Sequence, residues 1–200
     1  LTNSLYKNGK MKESLMIAAE LNKSMHEFDS FLKNKFLFYY YNALVINYSK
    51  LDQEKALEVL NKAKKNKVIQ SLPTFGVFIY LNMGLIYYDQ KKYETSVKHF
   101  SRLILQKDFI GLSINFQLKI LISEIIIRYE LNQLDLVEDK INSLYKTYKD
   151  IINKNSREKE IIIIIKKLIY CNNLKADKEL SSRIKKLIAI TSSENAQNID

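Results

Sequence analysis

Two histidines, one cysteine and no tryptophan are the scarce reactive groups of this 200-residue chain, so chemistry that needs convergent nucleophiles or ligands has little to draw on. His26 stands beside Glu27 and His99 directly before Phe100, and neither is joined by a second histidine or a cysteine at metal-ligand spacing. Both read as ordinary, partly exposed side chains. Cys171 follows Tyr170 at the end of an apolar stretch, lacks any signature of a nucleophile and reads as a buried structural thiol. Asp135, Glu138 and Asp139 share one helical face, a spacing that suits a carboxylate site. With no matching cluster elsewhere they read as a solvated face near a helix N-terminus, where the helix dipole favours negative charge. The four glycines are scattered, which excludes a glycine-rich phosphate cradle. The expectation is a non-enzymatic protein without catalytic residues, cofactor or metal.

The elements that must position any site are helices. Glycine and proline together supply five residues, four and one, where ordinary usage is roughly 12% of a chain, and this starves turns and excludes a many-stranded sandwich. Apolar residues recur at helical spacing, with breaks at Asn8 to Lys10, Ser49 to Gln53, Asn66 to Leu72, Asp89 to Lys92, Lys107 to Gly111, Leu131 to Gln133, Lys154 to Ser156 and Asn172 to Ala176. These breaks predict nine or ten helices in an all-α fold. Pro73 suits a first helical turn, where its missing N–H has no partner to lose. The run Ile161 to Ile165 has strand propensity but is flanked by Lys and Glu at helical spacing, and predicts a helix buried on two sides. Ser71 to Tyr88 carries no charge, yet Pro73, Gly76, Asn82, Gly84 and three tyrosines argue against a membrane span.

A tyrosine followed by a short polar turn and an apolar helix recurs at Tyr6, Tyr48, Tyr88, Tyr129 and Tyr170, with gaps of 42, 40, 41 and 41 residues. This regularity predicts helical hairpins at about 1–24, 27–66, 72–107, 112–149 and 157–190 within one domain, followed by a polar tail at 191–200. One pair cannot bury its apolar face alone and stacked pairs can, so the architecture expected is an α solenoid.

The third hairpin, from Tyr80 through Met83, Gly84, Tyr87, Tyr93 and Ser96 to Phe100, resembles a tetratricopeptide repeat. In that pattern the small Gly84 and Ser96 let two helices approach while large residues fill the space between hairpins. The second hairpin keeps Tyr40, Ala43, Tyr48, Ala56, Leu60 and Ala63 in register but has Leu44 in place of the glycine. Glu124 and Arg128 in the fourth, and Lys166 and Lys178 in the fifth, depart further. The i, i+4 pair Glu124 and Arg128 reads as a buried ion pair, with a surface pair as the alternative. The resemblance implies a right-handed superhelix whose first helices line a concave face. On that register Phe38, Tyr41, Val45 and Tyr48, then Phe78, Leu81, Leu85 and Tyr88, then Ile122, Ile126 and Tyr129 line a groove for an apolar or helical segment of a peptide or protein. It also implies the sensing or docking part of a larger bacterial regulatory protein.

Charge bears on the partner. The net charge is +10, and Asp139 to Lys186 holds thirteen Lys or Arg against six Asp or Glu, an excess of seven. That makes an anion-facing surface, suited to an acidic or amphipathic partner protein. The alternative reading is a nucleic-acid-associated helical repeat using this basic C-terminal half, although its cations are spread round the helices and no reading motif is present. With one cysteine and no signal-like N-terminus the expected setting is cytoplasmic. Opening at Leu1 and closing in a polar stretch, the chain reads as a piece of a longer protein.

Overall fold

The computed structural model describes residues 1–27, 30–171 and 177–197, and the regular structure among them is all helical. The chain divides into two compact units, Leu1–Gly111 and Leu112–Asp200, and their boundary falls at the end of the polar break from Lys107 to Gly111. The first unit holds α1 (Thr2–Lys7), α2 (Met11–Ser24), α3 (Ser30–Leu51), α4 (Gln53–Lys65) and α5 (Lys67–Gln70). A π-helical turn (Val77–Leu81) then runs into α6 (Asn82–Asp89), followed by α7 (Tyr93–Ile104) and α8 (Lys107–Ile110). The second unit holds α9 (Ile114–Glu130), α10 (Leu134–Lys154), α11 (Ser156–Ile169) and α12 (Lys178–Gln197). Helices pack on their sequence neighbours, α1 on α2, α3 on α4 and α6 on α7, and likewise α9 through α12, while α1 also meets α3 and α9 meets α11.

The recurring tyrosines end the first helix of a hairpin, and three of the turns that follow repeat bond for bond. Three residues after Tyr6, Tyr88 and Tyr129 the backbone enters the left-handed region, at Gly9 (φ 73°), Lys91 (φ 58°) and Asn132 (φ 55°). The N–H of that residue donates to the tyrosine carbonyl at 3.0, 2.8 and 2.9 Å. The next N–H reaches further back, from Lys10 to Leu5, Lys92 to Tyr87 and Gln133 to Arg128, at 2.9, 2.8 and 3.0 Å. These paired bonds form a Schellman motif, which satisfies carbonyls that a helix end leaves without partners. After Tyr48 the chain instead extends at Asp52 (φ −161°), whose carboxylate accepts from the Lys55 N–H at 3.1 Å and caps α4. That bond holds the Asp52 carboxyl below its ordinary range.

Small side chains then set how closely the two helices of a hairpin approach. Ser14, Ala56, Ser96 and Val137 stand eight residues after Tyr6, Tyr48, Tyr88 and Tyr129, and all four are fully buried. Ser96 Oγ donates to the Gly84 carbonyl at 2.7 Å, and Ser14 Oγ makes the equivalent bond to the Thr2 carbonyl at 3.0 Å. A Cβ on Gly84 would lie 2.7 Å from two ring carbons of Phe100, so the α6–α7 contact depends on glycine there. The fifth hairpin departs from this rule as its sequence implied, for Lys178 is exposed. One core gathers Val45, Leu60, Ile69, Phe78, Ile79 and Met83, and the other Leu118, Ile125, Val137, Ile141, Ile152 and Ile162.

Several boundaries differ from the sequence expectation. Among the described residues there are twelve α-helical segments where nine or ten were expected, because the four-residue α5 and α8 are too short to carry periodicity. Asn66 starts α5 by accepting from the N–H groups of Val68 and Ile69. Helical backbone after Pro73 begins only at Phe75, which leaves the proline in the preceding turn. Asn82 Nδ2 donates to the Phe78 carbonyl at 2.7 Å within the widened π turn. Helix α10 continues through 150–154, with a kink at Tyr148 (φ −119°, ψ 19°), and α12 continues to Gln197 into the stretch expected as a polar tail. Ile161 to Ile165 is helical, with Ile162, Ile164 and Ile165 buried. Among the described residues no helix is long and apolar enough to cross a membrane. The break expected at Asn172 to Ala176 and the side chain of His26 lie outside the described residues.

Candidate functional site

In the first unit α3 carries Phe38, Tyr41, Val45 and Tyr48, and the π turn with α6 carries Phe78, Leu81, Leu85 and Tyr88. Val45 is 0% exposed and Phe78 4%, so both belong to the core and not to a groove. These helices are apolar nearly all round, and spacing alone does not tell which of two apolar faces meets the core. Phe38 packs its ring edge-on to Phe78 at 5.2 Å, and Phe38, Tyr41 and Tyr48 lie half-buried against the core. Lys55 Nζ sits 5.9 Å from the centre of the Tyr48 ring. Leu81 and Tyr88 are half-buried, Tyr88 with its ring 5.5 Å from Tyr93, and Leu85 is 44% exposed. Leu81, Leu85 and Tyr88 follow i, i+4, i+7 spacing and form one charge-free face.

In the second unit Ile122 is 4% exposed and is likewise a core residue, contrary to its expected place on a binding face. Ile126 and Tyr129 are half-buried against the second core.

The isolated reactive groups have structural settings. His99 is half-buried, its ring stacked on Tyr87 at 5.4 Å and 13° and tilted against Tyr80 at 6.2 Å. Its Nδ1 is buried with no hydrogen-bond partner, and burial, then the charges of Arg102 and Lys64, push its pKa down to about 4. Cys171 is partly exposed and not buried as expected, because it lies past the last residue of α11. It borders a cavity of about 440 Å³ with Tyr145, Lys166 and Tyr170. Of the three carboxylates on α10, Asp135 and Asp139 are exposed, and Glu138 accepts a bond from the Tyr170 hydroxyl that raises the tyrosine's pKa. Among the described residues no group of three or more His, Cys, Asp or Glu could hold a metal.

Charge is the feature that the fold sorts most clearly. Glu124 is 2% exposed, and its Oε1 accepts from Arg128 Nη2 at 2.8 Å and Nε at 3.0 Å, while Oε2 accepts from Lys140 Nζ at 2.9 Å. The Glu124 carboxylate is buried, as the pair's place on an apolar helix implied, and Arg128 is half-buried. In the basic stretch from Asp139 to Lys186, buried Glu160 draws Arg183 at 2.9 Å and Lys186 at 3.8 Å, and Glu179 draws Lys167 at 2.7 Å. Lys167, Arg183 and Lys186 are therefore held in ion pairs within the second unit.

A second basic stretch escaped the sequence reading. Lys62 to Lys107 holds nine Lys or Arg against two acids, Asp89 and Glu94, again an excess of seven. None of these nine cations forms an ion pair with a described residue. Three of them gather at the His99 stack: Lys64 Nζ lies 5.4 Å from the centre of the Tyr80 ring, Lys92 Nζ 5.9 Å from that of Tyr87, and Arg102 acts electrostatically on His99. A count of charge over shorter windows would have found the surplus. No family model, curated protein or solved structure matches the chain.

Proposed function

We propose that this chain is a divergent tetratricopeptide-like solenoid that carries out no reaction of its own and binds an apolar or amphipathic segment of a partner protein. On this reading it is the sensing or docking part of a larger bacterial regulatory protein and works in the cytoplasm. Support for the repeat comes from the Schellman turn shared by three hairpins and from the buried small residue eight positions after four of the tyrosines. The observation that carries the binding reading is the face of Leu81, Leu85 and Tyr88. Its helix buries Phe78, Ile79, Met83 and Ile86 on one side and presents leucine and tyrosine to solvent on the other, where a surface helix ordinarily carries charge. Half-buried aromatic neighbours supply contact area at small cost in side-chain entropy, and the absence of Lys, Arg and Asn from this row argues against capture of a terminal carboxylate.

Selection from a displayed library of random peptides tests this. Amphipathic sequences should be enriched on the wild-type chain, and Leu85→Glu should abolish their binding without lowering thermal stability. Tyr88→Phe should retain it. If the enriched peptides bind the Leu85→Glu chain equally well, or if the library yields none, the groove reading fails.

A further inference from the structure

We propose that Tyr80, His99 and Tyr87, with Lys64, Lys92 and Arg102 around them, form a docking site for an acidic polypeptide segment of a partner protein. This site is separate from the Leu81, Leu85 and Tyr88 face and does not depend on the groove reading. All six residues belong to the first unit, and they come from four elements: α4, the π turn with α6, the turn before α7, and α7 itself.

Three observations converge on the site. Lys64, Lys92 and Arg102 have no carboxylate within ion-pair distance among the described residues, and neither Asp89 nor Glu94 compensates them. Fixed rings hold the two ammonium groups in place, since Lys64 lies over Tyr80 and Lys92 over Tyr87, and a cation so placed loses less freedom on meeting an anion. The third observation is His99, whose buried Nδ1 has no partner and whose protonation is opposed first by burial and then by the charges of Arg102 and Lys64. Positive charge is therefore gathered beside a half-buried ring, from the half-buried Lys64 and the exposed Lys92 and Arg102, where an incoming segment can reach it.

The chemistry of the cluster selects a protein segment over nucleic acid. A base needs an open aromatic face, and here Tyr87 is stacked on His99 while lysines cover Tyr80 and Tyr87. A phosphodiester chain also needs a long track of cations, whereas the cations shown to converge here number three. Carboxylates of successive Asp or Glu residues can meet the ammonium and guanidinium groups without opening the stack.

The test is binding of a fluorescently labelled peptide of about ten residues, alternating Glu and Gly, followed by anisotropy at low salt, beside the Gln–Gly analogue and a single-stranded oligonucleotide of equal charge. Affinity for the Glu–Gly peptide should fall at least about tenfold in the triple variant Lys64→Gln, Lys92→Gln, Arg102→Gln, and by a similar factor as salt is raised. It should be unchanged when Lys166 and Lys185 become Gln, and the charge-keeping pair Lys64→Arg, Lys92→Arg should retain it. Proton NMR gives an independent readout, since the chain has two histidines and His99→Gln assigns the signal. Bound carboxylates should raise the His99 pKa from about 4 toward its ordinary value. No binding, binding untouched by the triple variant, an unmoved His99 pKa, or tighter binding of the oligonucleotide would each overturn the proposal.

Discussion

Glu124 is the residue at which the cost of burying charge can be measured most directly. Its carboxylate is 2% exposed, Arg128 bonds one oxygen twice, and Lys140 bonds the other; the Arg128 side chain is 17% exposed and that of Lys140 35%. Replacing Arg128 by Met removes its two bonds to Glu124 and the one its Nη1 donates to Gln133 at 2.9 Å, and leaves the wetter Lys140 ammonium on the buried carboxylate. Loss of a buried partner costs about 3 to 5 kcal/mol, and because Lys140 remains, the lower end applies. Lys140→Met removes one bond to a more exposed ammonium and should cost about 1 kcal/mol. Glu124→Leu alone strands two cations, but both can turn toward water, so about 2 kcal/mol is expected. The double variant Glu124→Leu, Arg128→Met strands nothing on α9 itself. Its destabilisation should therefore fall short of the sum of the single changes by about 2 kcal/mol. Urea unfolding followed by far-ultraviolet circular dichroism supplies the four stabilities, and amide exchange in α9 isolates the second unit if the two units melt separately. Additivity within about 0.5 kcal/mol would refute the reasoning, because it would mean that the pair contributes no mutual energy.

Two further perturbations probe the first unit. Gly84→Ala places a methyl 2.7 Å from two carbons of the fully buried Phe100 ring, and the strain of about 1 to 3 kcal/mol outweighs the roughly 1 kcal/mol gained in helix propensity. Thermal melts should show a lower midpoint, and an unchanged or higher one would mean that α6 and α7 can separate freely. His99 has a folded pKa of about 4 against an ordinary 6.5, so the unfolded chain binds the extra proton between those values. Stability from the neutral ring is fully present above pH 6.5 and is lost as pH falls toward 4; solvent screening of the half-exposed ring reduces it to about 1 kcal/mol. His99→Gln should flatten this part of the pH dependence of the melting temperature, and parallel curves for the two proteins would contradict the assignment.

The helical breaks and the repeat were legible because both rest on local chemistry. A tyrosine in the last turn, a residue that tolerates positive φ three positions on, and a small residue eight positions on all lie within ten residues of chain, close enough to be read by spacing. Gly9 and Asn132 suit that conformation, while Lys91 occupies it without side-chain help, which explains why glycine content alone did not reveal the turns. The candidate face was less legible. In a helix apolar all round, Val45 and Phe78 are chemically equivalent to Tyr41 and Leu85 until the neighbouring hairpin covers one side, and that choice is tertiary. Lys64 and Arg102 were missed for a similar reason. Eighteen uncharged residues, Ser71 to Tyr88, separate the cations before them from those after, and only folding brings both groups to His99.

The placement of acids, more than the number of bases, decides where this protein keeps positive charge. Both basic stretches carry an excess of seven, yet α9 and α11 bury Glu124, Glu158 and Glu160, and a buried carboxylate costs several kcal/mol unless cations reach it. Arg128, Lys140, Lys119, Arg183 and Lys186 are drawn in by that requirement. Between Lys62 and Lys107 no carboxylate is buried, so nothing in the core recruits the cations. Leaving them unpaired costs little, since two unit charges about 10 Å apart in water repel by about 0.4 kcal/mol, and salt reduces this further. Folding therefore ties cations of one stretch into ion pairs and leaves those of the other without one among the described residues, so that an acidic partner can meet them without first breaking an internal ion pair. Salt should accordingly weaken binding at the His99 cluster, and it should disturb the second unit less, because the Glu124 carboxylate that holds Arg128 and Lys140 is buried.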